Sequence, residues 1–315
     1  MLIFFGRKLV GALVMLIVLS FLIFAIAVAL PGSAVDLLLP ANMRTVEAVA
    51  ELEAELGLDQ PVVVQYVNWA MGMLKGDFGN SFSDGQAVST RIGPKAIVTF
   101  QLAIGGLMVG AIIGITAGVV SARRAGSKLD TAINVVASTV IAVPPFYAAL
   151  VLAVIFSVWL QLIPFGGYVP FSDSPLEWVV RMVLPWFAIG IPGAASLSRQ
   201  TRSAVLKGLD ARHVQATRAL GFSENAVVRG HVMRNSMLPI VTDIGFRATV
   251  VIGSSVVVEN VFGLPGLGPY LISAVQTRDL PSVQAAVLVL SGAVIIVNLV
   301  VDLSYAWLNP KVRIS

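Results

Sequence analysis

Residues 97–120 read IVTFQLAIGGLMVGAIIGITAGVV, a run without a charged side chain that is closed by Arg123-Arg124. An α-helix rises about 1.5 Å per residue, so a run of this length crosses the roughly 30 Å hydrocarbon core of a bilayer. Working outward, comparable apolar runs occupy 9–30, about 131–160, about 179–197, about 237–258 and about 283–307. The first stops at Pro31-Gly32, the third carries Pro144-Pro145, and the fourth contains Arg181, Pro185 and Pro192. The last two are interrupted only by Asp243, Arg247 and Asp302. Of the 315 residues, 57% are hydrophobic and only 12% are charged, too few to cover a water-soluble surface. The expectation is an all-α integral membrane protein with six transmembrane helices.

Six spans put both termini on one side, and the Lys/Arg asymmetry chooses that side. Fourteen of the 21 basic residues fall in the segments that share a side with the termini, six fall opposite, and Arg247 lies within a span. Both termini are therefore expected in the cytoplasm. Arg7-Lys8 and Ala27-Val28-Ala29 imitate a signal peptide, but the apolar run between them exceeds the 7–15 residues of such a segment. It is read as a retained span. The chain divides into 1–96, the first span with a long extracytoplasmic loop, and 97–315, a five-span core with a basic cytoplasmic loop at 198–235. In the long loop, Thr45 marks a helix start and Gly57 its stop. Residues 62–74 are apolar but too short to span, which points to an interfacial or packed helix.

Several chemistries are excluded by composition. There is no cysteine, and the two histidines, His213 and His231, lie in the same polar stretch. No G-x-x-x-x-G-K-[ST], H-E-x-x-H or G-x-S-x-G motif is present, so no catalytic residue, metal site or cofactor is expected on this chain. A net charge of +4 is too small to argue for nucleic acid. Gly263-Leu264-Pro265-Gly266-Leu267-Gly268 is read as a tight loop rather than a phosphate cradle. Gly106, Gly110, Gly114 and Gly118 recur every four residues, a seam of bare backbone suited to close helix packing. Pro144-Pro145 removes two backbone donors in mid-membrane and is either a hinge or a static kink.

The basic loop carries the functional signal. Asp210-Ala211-Arg212-His213-Val214-Gln215-Ala216-Thr217-Arg218-Ala219-Leu220-Gly221 reads as a short helix stopped by Gly221. After Phe222, Ser223 is placed to cap a second helix. Val214, Ala216, Ala219 and Leu220 give the first helix a small apolar side, and its arginines give a basic rim. Such a hairpin suits a groove on a soluble partner.

This loop resembles the EAA motif of permease subunits of binding-protein-dependent ABC importers. Gln215-Ala216-Thr217 stands at the name-giving triplet and Gly221 at its glycine. The rest of the chain resembles the dipeptide/oligopeptide and nickel branch, B-type subunit. That likeness rests on Gly57-Leu58-Asp59-Gln60-Pro61, Gly76-Asp77-Phe78-Gly79, Arg234-Asn235 before Leu238-Pro239, and Pro265-Gly266-Leu267-Gly268. It continues with Arg278-Asp279 and Val301-Asp302-Leu303-Ser304-Tyr305 ahead of Asn309-Pro310. Ser33, after Pro31-Gly32, and Arg247 depart from the family pattern. The resemblance implies a type I importer-like permease of the bacterial inner membrane. It would pair with a homologous C-type permease subunit, two ATP-binding subunits and an extracytoplasmic substrate-binding protein within membrane lipid. Peptides or a related small solute would be its cargo. Residues 210–221, in particular Asp210, His213–Ala219 and Gly221, would form the coupling contact to the ATPases.

A secondary transporter is the alternative; it calls for intramembrane carboxylates, for which Asp243 and Asp302 are the candidates. Asp302 lies near the cytoplasmic end of its span, within reach of Lys311 or Arg313. Asp243 and Arg247 stand at i, i+4 about 15 Å into span five, close to the midplane. They are either a self-neutralising pair that holds the span or part of the translocation path.

Overall fold

The computed structural model describes residues 2–29, 39, 42, 44–55 and 57–308. Pro31-Gly32-Ser33, Asn309-Pro310, Lys311 and Arg313 lie outside them. Among the described residues the regular structure is helical, and the β pairing is one isolated bridge, Asn80 to Ala87. The helices are α1 Leu2–Ala29, α2 Val46–Glu55, α3 Val62–Leu74, α4 Val88–Arg123, α5 Lys128–Ile141 and α6 Pro145–Ala153. They continue as α7 Pro175–Leu209, α8 Arg212–Ala219, α9 Met233–Phe262, α10 Leu267–Gln276 and α11 Leu280–Leu308. Two π-helical segments, Val154–Trp159 and Val227–Val232, extend α6 and lead into α9.

Among the described residues, five helices are long and apolar enough to cross a membrane: Gly6–Ala29, Val88–Arg123, Pro175–Leu209, Ser236–Phe262 and Leu280–Ser304. The expected third span is a bent pair, α5 and α6, meeting at 104°. The cause is local. Proline disfavours α geometry in the residue before it and donates no hydrogen bond, so α5 stops at Ile141 and α6 restarts with Pro145 in its first turn. Span four is also longer than its hydropathy suggests. Ser174 caps its start by accepting from the Glu177 N–H at 3.4 Å, and the helix runs through the polar residues 198–209. The basic loop expected at 198–235 is shorter by that stretch. Gly263–Gly268 leads into α10, with Gly266 at its N-cap.

The chain forms two compact units. One comprises Met1–Leu9, Thr99–Leu264 and Ile296–Ser315; the other comprises Val10–Val98 and Pro265–Ile295. These boundaries cross the linear division at residue 96, because Pro265–Ile295 joins the N-terminal segment. Within the first unit α7 is the central element, packed by α5, α6 and α9. The glycines of α4 face it. A Cβ built on Gly110 would stand 3.0 Å from the Gly190 carbonyl oxygen, and one on Gly114 would stand 2.8 Å from that of Ala194. A Cβ on Gly118 would come to 2.5 Å from the Ser198 carbonyl oxygen. In this unit the Lys8 ammonium pairs with Asp302 at 2.8 Å; Lys311 and Arg313, the partners expected for Asp302, lie outside the described residues.

Within the second unit, the Ala48 N–H donates to Thr45 Oγ1 at 3.1 Å, which starts α2 as read from the sequence. α3 lays Tyr66 and Trp69 against Phe21 and Phe24 of α1, with ring centroids 5.3–5.7 Å apart for Phe21–Tyr66, Phe24–Tyr66 and Phe24–Trp69. Its other side leaves Val63, Met71 and Leu74 exposed. Buried Asp279 accepts from Ser81 Oγ at 2.6 Å, the Phe82 N–H at 3.0 Å and Ser282 Oγ at 2.6 Å, tying the turn after Gly79 to the start of α11.

Candidate functional site

The hairpin between α7 and α9 is built from the residues singled out in the sequence. Asp210 ends α7, its N–H reaching the Leu206 carbonyl at 3.2 Å, and α8 follows after Ala211. Gly221 then adopts φ +84°, a left-handed conformation that glycine takes without the Cβ clash other residues meet. Ser223 Oγ accepts from the Ala226 N–H at 3.4 Å and opens a helical turn, Glu224–Ala226. That turn flows through the π-helical segment into α9, so the second arm of the hairpin is the N-terminal end of span five itself.

Arg218 straddles the turn. Its Nε and Nη2 donate to the two Glu224 carboxylate oxygens at 3.0 and 2.7 Å. These bonds hold the Glu224 carboxyl below the usual carboxylate range. The Arg123 guanidinium donates to Asn225 Oδ1 at 2.8 Å, anchoring the same turn to the end of α4.

The helix does not present the face expected. Val214 is fully buried with Ala122, Val205, Val227 and Val232, and Thr217 is buried beside it. Position and periodicity explain this: 214 and 217 are three apart, on the side of α8 that meets α7 and the π-helical segment. The outward side carries Arg212, His213, Gln215, Ala216, Arg218 and Ala219, with Asp210 at the helix foot. Leu220 is 77% exposed and Phe222 53% exposed at the tip. Sequence reasoning placed Leu220 on the docking side and left Phe222 out. The signal for Phe222 was available: a large apolar side chain directly after a left-handed glycine in a polar loop.

In span five, Arg247 Nε donates to Asp243 Oδ2 at 2.6 Å and Nη2 to Oδ1 at 3.1 Å. The side chains are 15% and 20% exposed. Arg247 lies beside the helix crossing, where a Cβ on Gly193 would stand 3.8 Å from its Cδ. The space it shares with Gly106, Gly110 and Gly190 measures about 10 Å³, too little for a carboxylate group. Within this chain the geometry favours the self-neutralising pair. Arg247→Ala should therefore lower the yield of correctly assembled protein by leaving Asp243 uncompensated, and adding Asp243→Ala should restore it. Normal assembly of the single variant, with selective loss of uptake of anionic cargo, would give the pair to the path instead.

Residues 110–314 match the family described as binding-protein-dependent transport system inner membrane component, and residues 1–103 match its N-terminal domain. The chain belongs to this family. It is 36% identical over 307 residues to a putative peptide transport system permease protein of Brucella abortus, covering 98% of each chain. It is 38% identical over 317 residues to a putative peptide permease protein of Brucella suis, again covering 98% of each. A glutathione transport system permease protein of Salmonella choleraesuis is 34% identical over 98% of this chain and 97% of its own. The protein is thus a multi-pass membrane permease with the type I importer fold, a subunit that works with other ABC components.

One feature of this permease escaped the sequence reading. Asp130, almost fully buried at the start of α5, accepts two bonds from Arg202 of α7, from Nε and Nη2, each at 2.8 Å. It also accepts from Ser121 Oγ, from the Gly126 N–H at 2.9 Å and from Asn134 Nδ2 at 2.8 Å. The cluster joins the end of α4, the start of α5 and the polar C-terminal extension of α7. Asp130 and Arg202 are 72 residues apart, and nothing in local spacing pairs them.

Proposed function

We propose that this chain is the B-type permease subunit of an importer of peptides, with both termini in the cytoplasm of a bacterial cell and the hairpin at 210–223 as its contact with ATP-binding subunits. A second permease subunit would complete the path and an extracytoplasmic binding protein would deliver cargo. The chain itself hydrolyses nothing in this reading; energy enters through the hairpin. The observation that carries the proposal is the two-sided build of α8. One side is cemented to α7 and to the start of span five through Val214, while the other offers Ala216, Ala219, Leu220 and Phe222 within a basic rim. A push on the outer side is transmitted to two spans without a flexible link. The peptide cargo is supported by relatives named for peptide and glutathione transport. A secondary transporter is less well supported, since its two candidate carboxylates are ion-paired to Arg247 and Lys8.

The test uses variants on the outer side. Ala216→Asp puts a charge into the docking face, and Gly221→Val forces a β-branched residue into left-handed backbone at a cost of about 1–2 kcal/mol. Both variants should insert and melt within a few degrees of the parent. Capture of co-expressed ATPase subunits should fall at least about ten-fold, with uptake lost in parallel. Normal capture and uptake by both variants would remove the hairpin from the mechanism.

A further inference from the structure

A cavity of about 350 Å³ lies within the second unit, inside the roughly 300–1,000 Å³ range of small-ligand sites. Its wall is assembled from the end of α1, Glu53 of α2, Gln65 of α3, Phe82 and the first turns of α11 with Gln284. In the proposed orientation it lies at the outer ends of spans one and six. We propose that this cavity binds a primary ammonium group, the N-terminus of a short peptide. Glu53 supplies the counter-charge, and the carboxamide oxygens of Gln284 and Gln65 accept from the ammonium. That the amine belongs to a peptide rests on the importer reading; the ammonium site does not.

Two independent observations point to a ligand. The first is Gln284, which is 8% exposed and whose carboxamide has no hydrogen-bond partner among the described residues. Buried polar groups are paired as a rule, because desolvating an amide without a partner is unfavourable. A carboxamide in a cavity wall finds that partner in whatever fills the cavity. The second is the placement of Glu53. The partly buried face of α2 carries Ala48, Val49, Leu52 and Glu53, whereas Glu47 and Glu51 are exposed. A carboxylate on the packed side of an amphipathic helix calls for a counter-charge. Glu53 has no ion pair among the described residues, and no basic side chain lines the cavity. Gln65 Nε2 donates to the Leu58 and Gln60 carbonyls at 3.1 and 2.8 Å, which leaves its Oε1 as an acceptor. One carboxylate and two carboxamide oxygens match the three donors of an ammonium. Phe24, Phe82 and Leu280 line the rest with apolar surface, suited to the neutral side chain behind a peptide's terminus. A phosphoethanolamine headgroup would instead bring a phosphate close behind its amine, with no cation in the wall to meet it.

The experiment uses the full chain in phosphatidylcholine nanodiscs, titrated calorimetrically with leucyl-alanine amide and with its N-acetyl derivative. The free amine should bind at least about ten-fold more tightly than the acetylated form, and Glu53→Gln should abolish the difference. Gln284→Leu should also abolish it, yet melt no lower than the parent, because it replaces a buried unpaired amide by an apolar group of similar shape. Glu51→Gln removes an exposed acid from the same helix and should leave binding unchanged. A second arm adds phosphatidylethanolamine. If that lipid raises the melting temperature of the parent but not of Glu53→Gln, while acetylation makes no difference to the dipeptide, the ammonium site stands and the peptide assignment is overturned in favour of a headgroup. Equal binding of amine and acetylated form with no Glu53-dependent lipid effect overturns the site itself. So does an equal loss in Glu53→Gln and Glu51→Gln, which would mark diffuse surface charge. None of these results touches the hairpin, so the importer reading fails or survives separately through ATPase capture.

Discussion

Gly114→Leu should leave little folded protein. A Cβ at this position would stand 2.8 Å from the Ala194 carbonyl oxygen and 2.9 Å from Leu197 Cβ, before the rest of the side chain is added. Overpacking a core by methylenes costs about 1–3 kcal/mol when side chains can move aside. Here the obstacle is main chain, and it repeats along the seam: a Cβ on Gly190 would lie 2.6 Å from the Gly106 carbonyl oxygen. Helices in lipid associate through such close packing rather than through a hydrophobic driving force, so the loss is not recovered elsewhere. The cost should reach or exceed about 3 kcal/mol, seen as a fall in melting temperature of about 10 °C or as aggregation on detergent extraction. Ile112→Ala, at an exposed position on the same helix, should be near neutral. A parent-like melting curve for Gly114→Leu would mean that α4 and α7 do not meet along these glycines.

Arg202→Met is the second large effect expected. It removes the guanidinium from Asp130 and leaves a buried carboxylate with only neutral donors. Breaking one side of a buried ion pair costs about 3–5 kcal/mol, whereas replacing both partners is often close to neutral. Asp130→Asn combined with Arg202→Met should therefore recover most of the stability that Arg202→Met loses. Thermal melting of the two variants beside the parent decides it. Equal melting temperatures for the single variant and the parent would show that the cluster does not hold the three helix ends together.

Much of the hairpin was legible because its determinants are local. Gly221 announces a left-handed turn and Ser223 an N-cap, and each acts within a few residues. The inward face of α8 was not legible, since Val214 and Ala216 are both small and apolar in sequence. Only the arrival of Val205 and Val227 on one side separates them. The bend of the third span was half legible: two adjacent prolines predict an interruption, but not 104°. Hydropathy ended span four too early because it reads polarity, while the helix continues wherever its backbone bonds can.

The amino-acid sequence by itself determined the class, the number of membrane-crossing segments and the place of the basic loop. Apolar run length against bilayer thickness and the positions of Lys and Arg are one-dimensional quantities. It also determined the Asp243–Arg247 pair, because four residues make one helical turn and bring the two side chains together. The tertiary structure alone decided that Asp130 belongs to Arg202, that Lys8 belongs to Asp302, and that Glu53 and Gln284 line one cavity. Those partners come from helices distant along the chain. Which charge meets which is settled by how helices cross, and that depends on side-chain volumes summed over whole faces rather than on any short stretch of residues.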